Sequence, residues 1–285
     1  MKILITGSGG QLGQEWVDFC TKKNISFQSF SSRELDITDK DSVSRAIKNY
    51  KPDVFINCAA YTKVDAAEDN KDLALQVNGE AVKIIAQICA ENRIKLVHYS
   101  TDYVFSGEKE DSKIYSEGYS EEHEINPLNV YGLSKRKGEE ALLESDCEYL
   151  LIRVSWLCGR FGNNFVKTML KLAKSRKELS VVNDQFGSPT FADQVVEQSF
   201  KLLEKNEDGV FHLSSKGIAT WYDFSKEIFA QKKLSVKVIP VTSEEFPTKA
   251  KRPAFSKLST QKISNISGVE MIHWEEGLAR LLKQL

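Results

Sequence analysis

Tyr131 and Lys135 stand four residues apart in the run Tyr131-Gly132-Leu133-Ser134-Lys135. On a helix that spacing puts both side chains on one face. A tyrosine with its usual pKa near ~10 is a poor acid–base catalyst at neutral pH. A neighbouring ammonium favours the phenolate and lowers that pKa. Such a pair can protonate a carbonyl oxygen as hydride reaches its carbon, or run the reverse. Tyr-x-x-x-Lys arises by chance on many helices, so the pair gains weight only from its company. Part of that company is Ser100-Thr101-Asp102, which closes a predicted strand. A Thr101 hydroxyl there is placed to bond the same carbonyl, because ligands of open parallel sheets sit at the carboxyl ends of strands.

The other part lies at the start of the chain. Gly7-Ser8-Gly9-Gly10-Gln11-Leu12-Gly13 follows an apolar strand and opens a helical pattern. Gly7, Gly10 and Gly13 are spaced to give a tight turn, a close approach to a pyrophosphate, and close helix–strand packing. The helix start then offers free N–H groups and a positive dipole end to the anion. A dinucleotide is the expected ligand. NAD sites usually carry an acid about 20 residues beyond the glycines for the ribose 2′-OH. Here the second strand ends Phe30-Ser31-Ser32-Arg33, and the first acid, Glu34, lies beyond the arginine. Arg33 and the serine hydroxyls suit a 2′-phosphate. NADPH is therefore expected, with NADH as the alternative.

These residues need a scaffold that brings strand ends together. Apolar runs at 2–6, 25–30, 53–58, 94–99 and 149–154 read as strands. Between them, the segment after the glycines carries a helical stripe of Leu12, Trp16, Phe19 and Cys20, and 39–50, 74–90 and 130–143 carry further helical stripes. Strands alternating with helices predict right-handed βαβ units and a parallel sheet. The expected architecture is α/β, a Rossmann-type doubly wound parallel sheet with a smaller C-terminal substrate lobe. The boundary falls near 154, giving a cofactor domain over 1–154 and a second lobe over 155–285. Residues 179–203 look like one more β-α unit that packs back onto the first sheet. The polar stretch 106–129 reads as a long surface loop.

Composition narrows the functional classes. Lys and Arg total 39 against 40 Asp and Glu, so no basic excess points to nucleic acid. No apolar run reaches membrane-spanning length, and the start Met1-Lys2-Ile3-Leu4-Ile5 lacks a signal-peptide pattern. Five widely spaced cysteines without a C-x-x-C argue against disulfides or zinc. Four histidines show no metal-ligand spacing. A soluble cytoplasmic protein is expected.

Taken together the motifs resemble the extended short-chain dehydrogenases/reductases, and within them the dTDP-4-dehydrorhamnose reductases. The likeness runs over nearly the whole chain. It is carried by Gly10-Gln11-Leu12-Gly13, Leu35-Asp36-Ile37-Thr38, the run from Asn57 through Ala59-Ala60-Tyr61 to Asp65, Ser100 to Phe105, Tyr131 to Lys135, and Arg153-Val154-Ser155-Trp156. Gly162 to Phe165, Asp184 to Thr190 and Arg252 to Ser256 separate this branch from sugar epimerases and dehydratases.

The resemblance implies a catalytic set of Thr101, Tyr131 and Lys135. It implies a cofactor pyrophosphate on the loop from Gly7 to Leu12, Asp36 and Ile37 beside the adenine, and Ala59, Ala60 and Tyr61 lining the cleft. Lys135 would also bond the nicotinamide ribose. Thr101, Asp102, Tyr103 and Trp156 would touch the sugar nucleotide, and Arg252 its pyrophosphate. The implied reaction reduces the 4-keto group of a dTDP-linked keto sugar, dTDP-4-dehydro-L-rhamnose. A reductase of another nucleotide-linked 4-keto-6-deoxy sugar, or a non-catalytic cofactor-binding regulatory subunit, are the alternatives. Some members bind Mg²⁺ at a dimer interface through clustered Glu side chains. Glu15 matches one such position and Asp193 resembles another, but no third carboxylate aligns, so no metal is expected. A homodimer stays an open option.

Overall fold

A computed structural model describes residues 1–266 and 268–285. The first half alternates as expected: β1 (Lys2–Thr6), α1 (Gln11–Lys22), β2 (Ser26–Phe30), α2 (Lys40–Tyr50) and β3 (Val54–Asn57). Short helices α3 (Val64–Ala67) and α4 (Lys71–Leu75) then lead through one π-helical turn, Gln76–Glu80, into α5 (Ala81–Asn92). β4 (Lys95–Thr101), a 3-10 turn at Asp102–Val104, α6 (Asp111–Ile114), α7 (Val130–Leu143) and β5 (Tyr149–Val154) follow. The second half contains β6 (Leu157–Cys158), α8 (Phe165–Ala173), β7 (Glu178–Val182), β8 (Phe186–Gly187), β9 (Thr190–Phe191) and α9 (Ala192–Glu204). It ends with β10 (Gly209–His212), β11 (Ala219–Thr220), α10 (Trp221–Gln231), β12 (Lys237–Val241), α11 (Gln261–Ser264) and α12 (Trp274–Leu282).

Six strands form one parallel sheet in the order β10-β5-β4-β3-β1-β2. The chain runs from β1 outward to β2 and then crosses to β3 on the other side. The loops after β1 and β3 therefore open a crevice at the topological switch point. Alternate side chains feed two cores. Ile3, Ile5, Trp16, Val97, Ile152 and Val195 pack on the face covered by α1 and α9. Leu4, Val43, Phe55, Ile85, Leu96 and Leu142 pack on the face covered by α2, α5 and α7. Burial of both faces explains why the central strands are apolar without alternation.

The second lobe has its own core, with Val166, Met169, Leu179, Phe224, Ile228 and Leu278 under a β7–β12 pair. The segment 179–203 is divided between the lobes. Its helix α9 packs on α1, and β10 adds a sixth strand beside β5. Its strand β7 pairs with β12 instead. Strand β12 carries Pro240, which an edge position tolerates because it demands no donor there. The stretch 106–129 is not merely a surface loop. Phe105 and Tyr119 stack 4.4 Å apart and join Phe255 and Leu258 in a small fourth core. Among the described residues no helix is long and apolar enough to cross a membrane.

Candidate active site

The glycine loop is built by contact between chain segments. Gly7 has φ +69°, and a Cβ there would lie 2.5 Å from the Ala59 nitrogen. A Cβ on Gly13 would lie 2.2 Å from the Gly7 oxygen. Only glycine permits this turn and this approach of α1 to β1. Gln14 N–H is bonded to the Gly10 carbonyl at 3.0 Å, so the N–H groups of Gln11, Leu12 and Gly13 lie ahead of the helical ladder. No side chain caps this end. Gly9 faces open space beside Ser31, with nothing nearer than 3.8 Å to a Cβ built on it. An N-terminus with free donors and open space fits a pyrophosphate. Leu12 itself is buried in the core, so it offers backbone and not side chain. The Gln11 side chain ties the two lobes, donating to the Leu157 carbonyl at 3.0 Å and accepting from Asn164 at 2.7 Å.

At the end of β2, Arg33 is exposed and has no ion-pair partner among the described residues. Glu34 accepts from the Ser31 N–H and hydroxyl at 2.7 Å each. Those bonds hold its carboxyl below the usual range. The arginine is thus free for a 2′-phosphate while the acid is engaged. Asp36 accepts from Thr38 N–H and hydroxyl at 2.9 and 2.8 Å, and Ile37 is buried in the core. Across the crevice, Ala59, Ala60 and Tyr61 are half-buried. Asn78, on the π-helical turn, clamps Tyr61 by accepting from its N–H at 2.8 Å and donating to its carbonyl at 2.9 Å. The same amide donates to Ser134 on α7 at 2.9 Å. The π turn thus aims one side chain at a loop and at α7 at once.

Tyr131 and Lys135 lie on α7, whose first turn is capped by Asn129, accepting from Gly132 N–H at 2.8 Å. A Cβ at Gly132 would sit 2.2 Å from the Tyr103 oxygen, so this glycine lets α7 press onto the 3-10 turn after β4. Thr101 ends β4, donates to Asp102 at 2.9 Å and accepts from the Tyr103 N–H at 3.2 Å, and its hydroxyl lies near enough to Tyr131 to favour the phenolate slightly. The rings of Tyr103 and Tyr131 meet edge-to-face at 5.6 Å. Thr101, Tyr131 and Lys135 are therefore gathered at the carboxyl end of the sheet.

Their electrostatics differ from the expectation that Lys135 lowers the Tyr131 pKa. Burial pushes the Tyr131 hydroxyl well up, against the smaller effect of the nearby Thr101 hydroxyl. Lys135 is itself brought down to about 8 by burial. Its Nζ donates to the Tyr99 carbonyl at 2.6 Å and faces His98 Nε2 at 3.4 Å. Two buried titratable groups each favour their neutral form when removed from water. Asp102 is likewise raised to about 7 by burial, and its Oδ2 has no hydrogen-bond partner among the described residues.

Of the remaining predicted contacts, Tyr103 and Arg252 line a cavity of about 820 Å³ together with Phe165, Gln185, Trp221 and Phe246, among others, while Trp156 does not line it. Arg252 donates to Tyr103 Oη at 3.2 Å and pairs with Asp65 at 2.6 Å. Trp156 has φ +46°, a conformation uncommon for a bulky residue. Its indole donates to Ser256 at 3.1 Å and stacks on Trp221 at 3.6 Å. Sequence reasoning gave no role to Trp221, Phe165 or Asn78. Phe165 lies in a stretch that carried the resemblance, so that likeness was the available signal for it. Asn78 had none, since a π turn leaves no mark in periodicity.

Glu15 and Asp193 meet near Arg160. Glu15 pairs with Arg160 at 3.0 Å, and burial raises the pKa of both carboxyls. Among the described residues no group of three or more His, Cys, Asp or Glu is arranged to hold a metal.

The comparisons agree in one direction. The sequence model described as RmlD substrate binding domain matches residues 1–285. The chain is 39% identical to a dTDP-4-dehydrorhamnose reductase of Aggregatibacter actinomycetemcomitans, covering 98% of each chain. It is 37% identical to the spore coat polysaccharide biosynthesis protein SpsK of Bacillus subtilis, covering 99% of this chain and 97% of that one. Among solved structures it resembles dTDP-4-dehydrorhamnose reductase from Bacillus anthracis in complex with NADP, with TM-score 0.95 and 39% identity over 100% of this chain and 99% of the other. On this full-length agreement of sequence and fold, the chain belongs to the dTDP-4-dehydrorhamnose reductase family.

Proposed function

We propose that the protein reduces the 4-keto group of dTDP-4-dehydro-L-rhamnose to give dTDP-L-rhamnose, using NADPH, with NADH as the alternative donor. The observation that carries this reading is the gathering of Thr101, Tyr131 and Lys135 at the carboxyl end of the sheet, with Tyr103 packed on Tyr131 and lining the adjoining aromatic cavity. The family membership fits the same reaction.

Bound reduced nicotinamide supplies the hydride. Tyr131 is the acid that delivers a proton to the sugar oxygen. Its raised pKa keeps that proton in place until negative charge develops on the oxygen. Thr101 orients the carbonyl through its hydroxyl. Lys135, one turn along the same helix face, favours the phenolate in its protonated form. Asp102, with its unpartnered oxygen, takes a sugar hydroxyl. Arg252, held by Asp65 and Tyr103, takes the nucleotide pyrophosphate with a planar fork suited to phosphate oxygens. Trp156 shapes the sugar subsite. Arg33, Gly9, Gly10, Gln11, Ala59, Ala60 and Tyr61 would hold the cofactor. The second lobe, built on α8, β7, α10 and β12, holds the sugar nucleotide and positions it by its remote groups. Cytoplasmic placement fits the five free cysteines of a reducing compartment.

The test follows loss of reduced-nicotinamide absorbance with NADPH and NADH in parallel, over a panel of dTDP-linked keto sugars. Turnover with the rhamnose precursor ahead of its stereoisomers supports the reading. Preference for another 4-keto-6-deoxy sugar replaces the substrate. No turnover with any sugar, together with tight binding to a partner protein, makes the chain a regulatory subunit.

A further inference from the structure

Behind Lys135 lies a row of polar side chains that the proposed reaction leaves without a role. Asn57 ends β3 and His98 lies within β4, each 1% exposed, and Lys135 on α7 is 2% exposed. The hydrogen-bond directions along this row are fixed from its far end. Ala59 N–H can only donate, and it bonds Asn57 Oδ1 at 3.1 Å. The Thr6 hydroxyl donates to the same oxygen at 2.8 Å. The Asn57 amide nitrogen therefore faces His98 Nδ1, 3.1 Å away. An amide NH₂ has no lone pair to offer, so Nδ1 must accept and carries no proton. A neutral imidazole then holds its single proton on Nε2. That N–H is directed at Lys135 Nζ, 3.4 Å away. An ammonium has donors only, so the contact becomes a hydrogen bond only when Lys135 is a free amine.

We propose that His98 is a positioning residue for Lys135: locked by Asn57 as an Nε2–H donor, it stabilises the amine form of the lysine and opposes the ammonium. Lys135 is then poised to change charge near neutral pH and is not a fixed cation. Two further observations agree. Burial and the nearby lysine hold His98 well below its ordinary range, so it stays neutral. The other groups acting on Lys135 are Glu139, one turn along α7, and the thiol of Cys58 after β3. Glu139 is paired with Arg153 at 2.7 Å, and burial keeps the Cys58 thiol protonated. The π turn reaches α7 through the uncharged Asn78 amide at Ser134, while its Glu80 lies in a surface groove with Lys137 and Glu140.

The consequence for catalysis rests on the proposed role of Lys135, whereas the tautomer does not, so the two are tested separately. Nitrogen-15 spectra of histidine-labelled protein, with His98 assigned by its loss in His98→Gln, should show a bare Nδ1 and a protonated Nε2 on both sides of neutrality. A proton on Nδ1, or an imidazolium near neutrality, overturns the proposal. In the pH profile of turnover, His98→Leu removes the donor and should move the alkaline limb up by about one pH unit. His98→Gln keeps an N–H donor and should leave the limb nearer its original place. An unmoved limb in an active His98→Leu enzyme overturns the tuning role. If wild-type protein reduces no keto sugar, the proposed reaction fails, and the tautomer measurement alone decides this inference.

Discussion

Replacing Lys135 by methionine should make the protein more stable and less active together. The ammonium is fully buried, and burial lowers its pKa from 10.5 to about 8. That gap is 2.5 units, and at ~1.4 kcal/mol per unit it corresponds to a folding penalty of about 3 kcal/mol at neutral pH. Lys135→Met removes the penalty. It also strips the Tyr99 carbonyl of its ammonium donor, costing about 1–2 kcal/mol. A net gain of about 1–2 kcal/mol remains. The pH dependence has a definite sign. Between pH 8 and 10.5 the unfolded chain binds more protons at this site than the folded one, so wild-type stability rises with pH there. The penalty is full below the folded pKa and vanishes above the unfolded one. The advantage of the variant should therefore be largest at pH 7 and shrink steadily toward pH 10. Urea unfolding of both proteins at several pH values measures it. A variant no more stable than wild type at pH 7, or an advantage constant with pH, would refute the burial argument. Turnover should fall in the same variant, as expected when a functional charge is held at a cost in stability.

Tyr131→Phe should keep the fold and NADPH affinity while losing about 10²- to 10⁴-fold in turnover; near-wild-type rates would sink the acid role. Arg33→Ala should weaken NADPH binding by about 10- to 100-fold and leave NADH binding nearly unchanged, because only the former carries a 2′-phosphate. An equal effect on both, read by titration, removes Arg33 from cofactor choice. Glu139→Ala leaves the buried Arg153 guanidinium without its carboxylate and should cost about 3–5 kcal/mol in denaturant unfolding. Replacing both partners by leucine should recover most of that loss, and a double variant as weak as the single one would contradict the account.

Much of the fold was legible in order of sequence. The alternation of apolar strands with amphipathic helices, the glycines after β1 and the Tyr-x-x-x-Lys pair are local patterns. Backbone sterics and side-chain periodicity write them within a few residues of each other. Elements that depend on distant partners were less visible. Strand β12 exists because β7 offers it a parallel edge, and residues 237–241 have no strand pattern strong enough alone. The helix expected over 74–90 is broken by a π turn because Asn78 has three partners to reach, on Tyr61 and Ser134. The stretch 106–129 holds buried Tyr119 because Phe105 and Phe255 come to it from elsewhere.

The sequence alone therefore determined which chemical groups the protein owns, and the βαβ order that delivers them to one end of a sheet. Only the tertiary structure decided their charge states. Lys135 and Tyr131 are four residues apart in any helix, and adjacency in water would let the lysine stabilise a phenolate. Burial reverses the balance, because removing both groups from water penalises each charged form before either can help the other. Which carbonyl and which imidazole receive the lysine was set by β4 and β3, whose residues come near it only when the sheet closes.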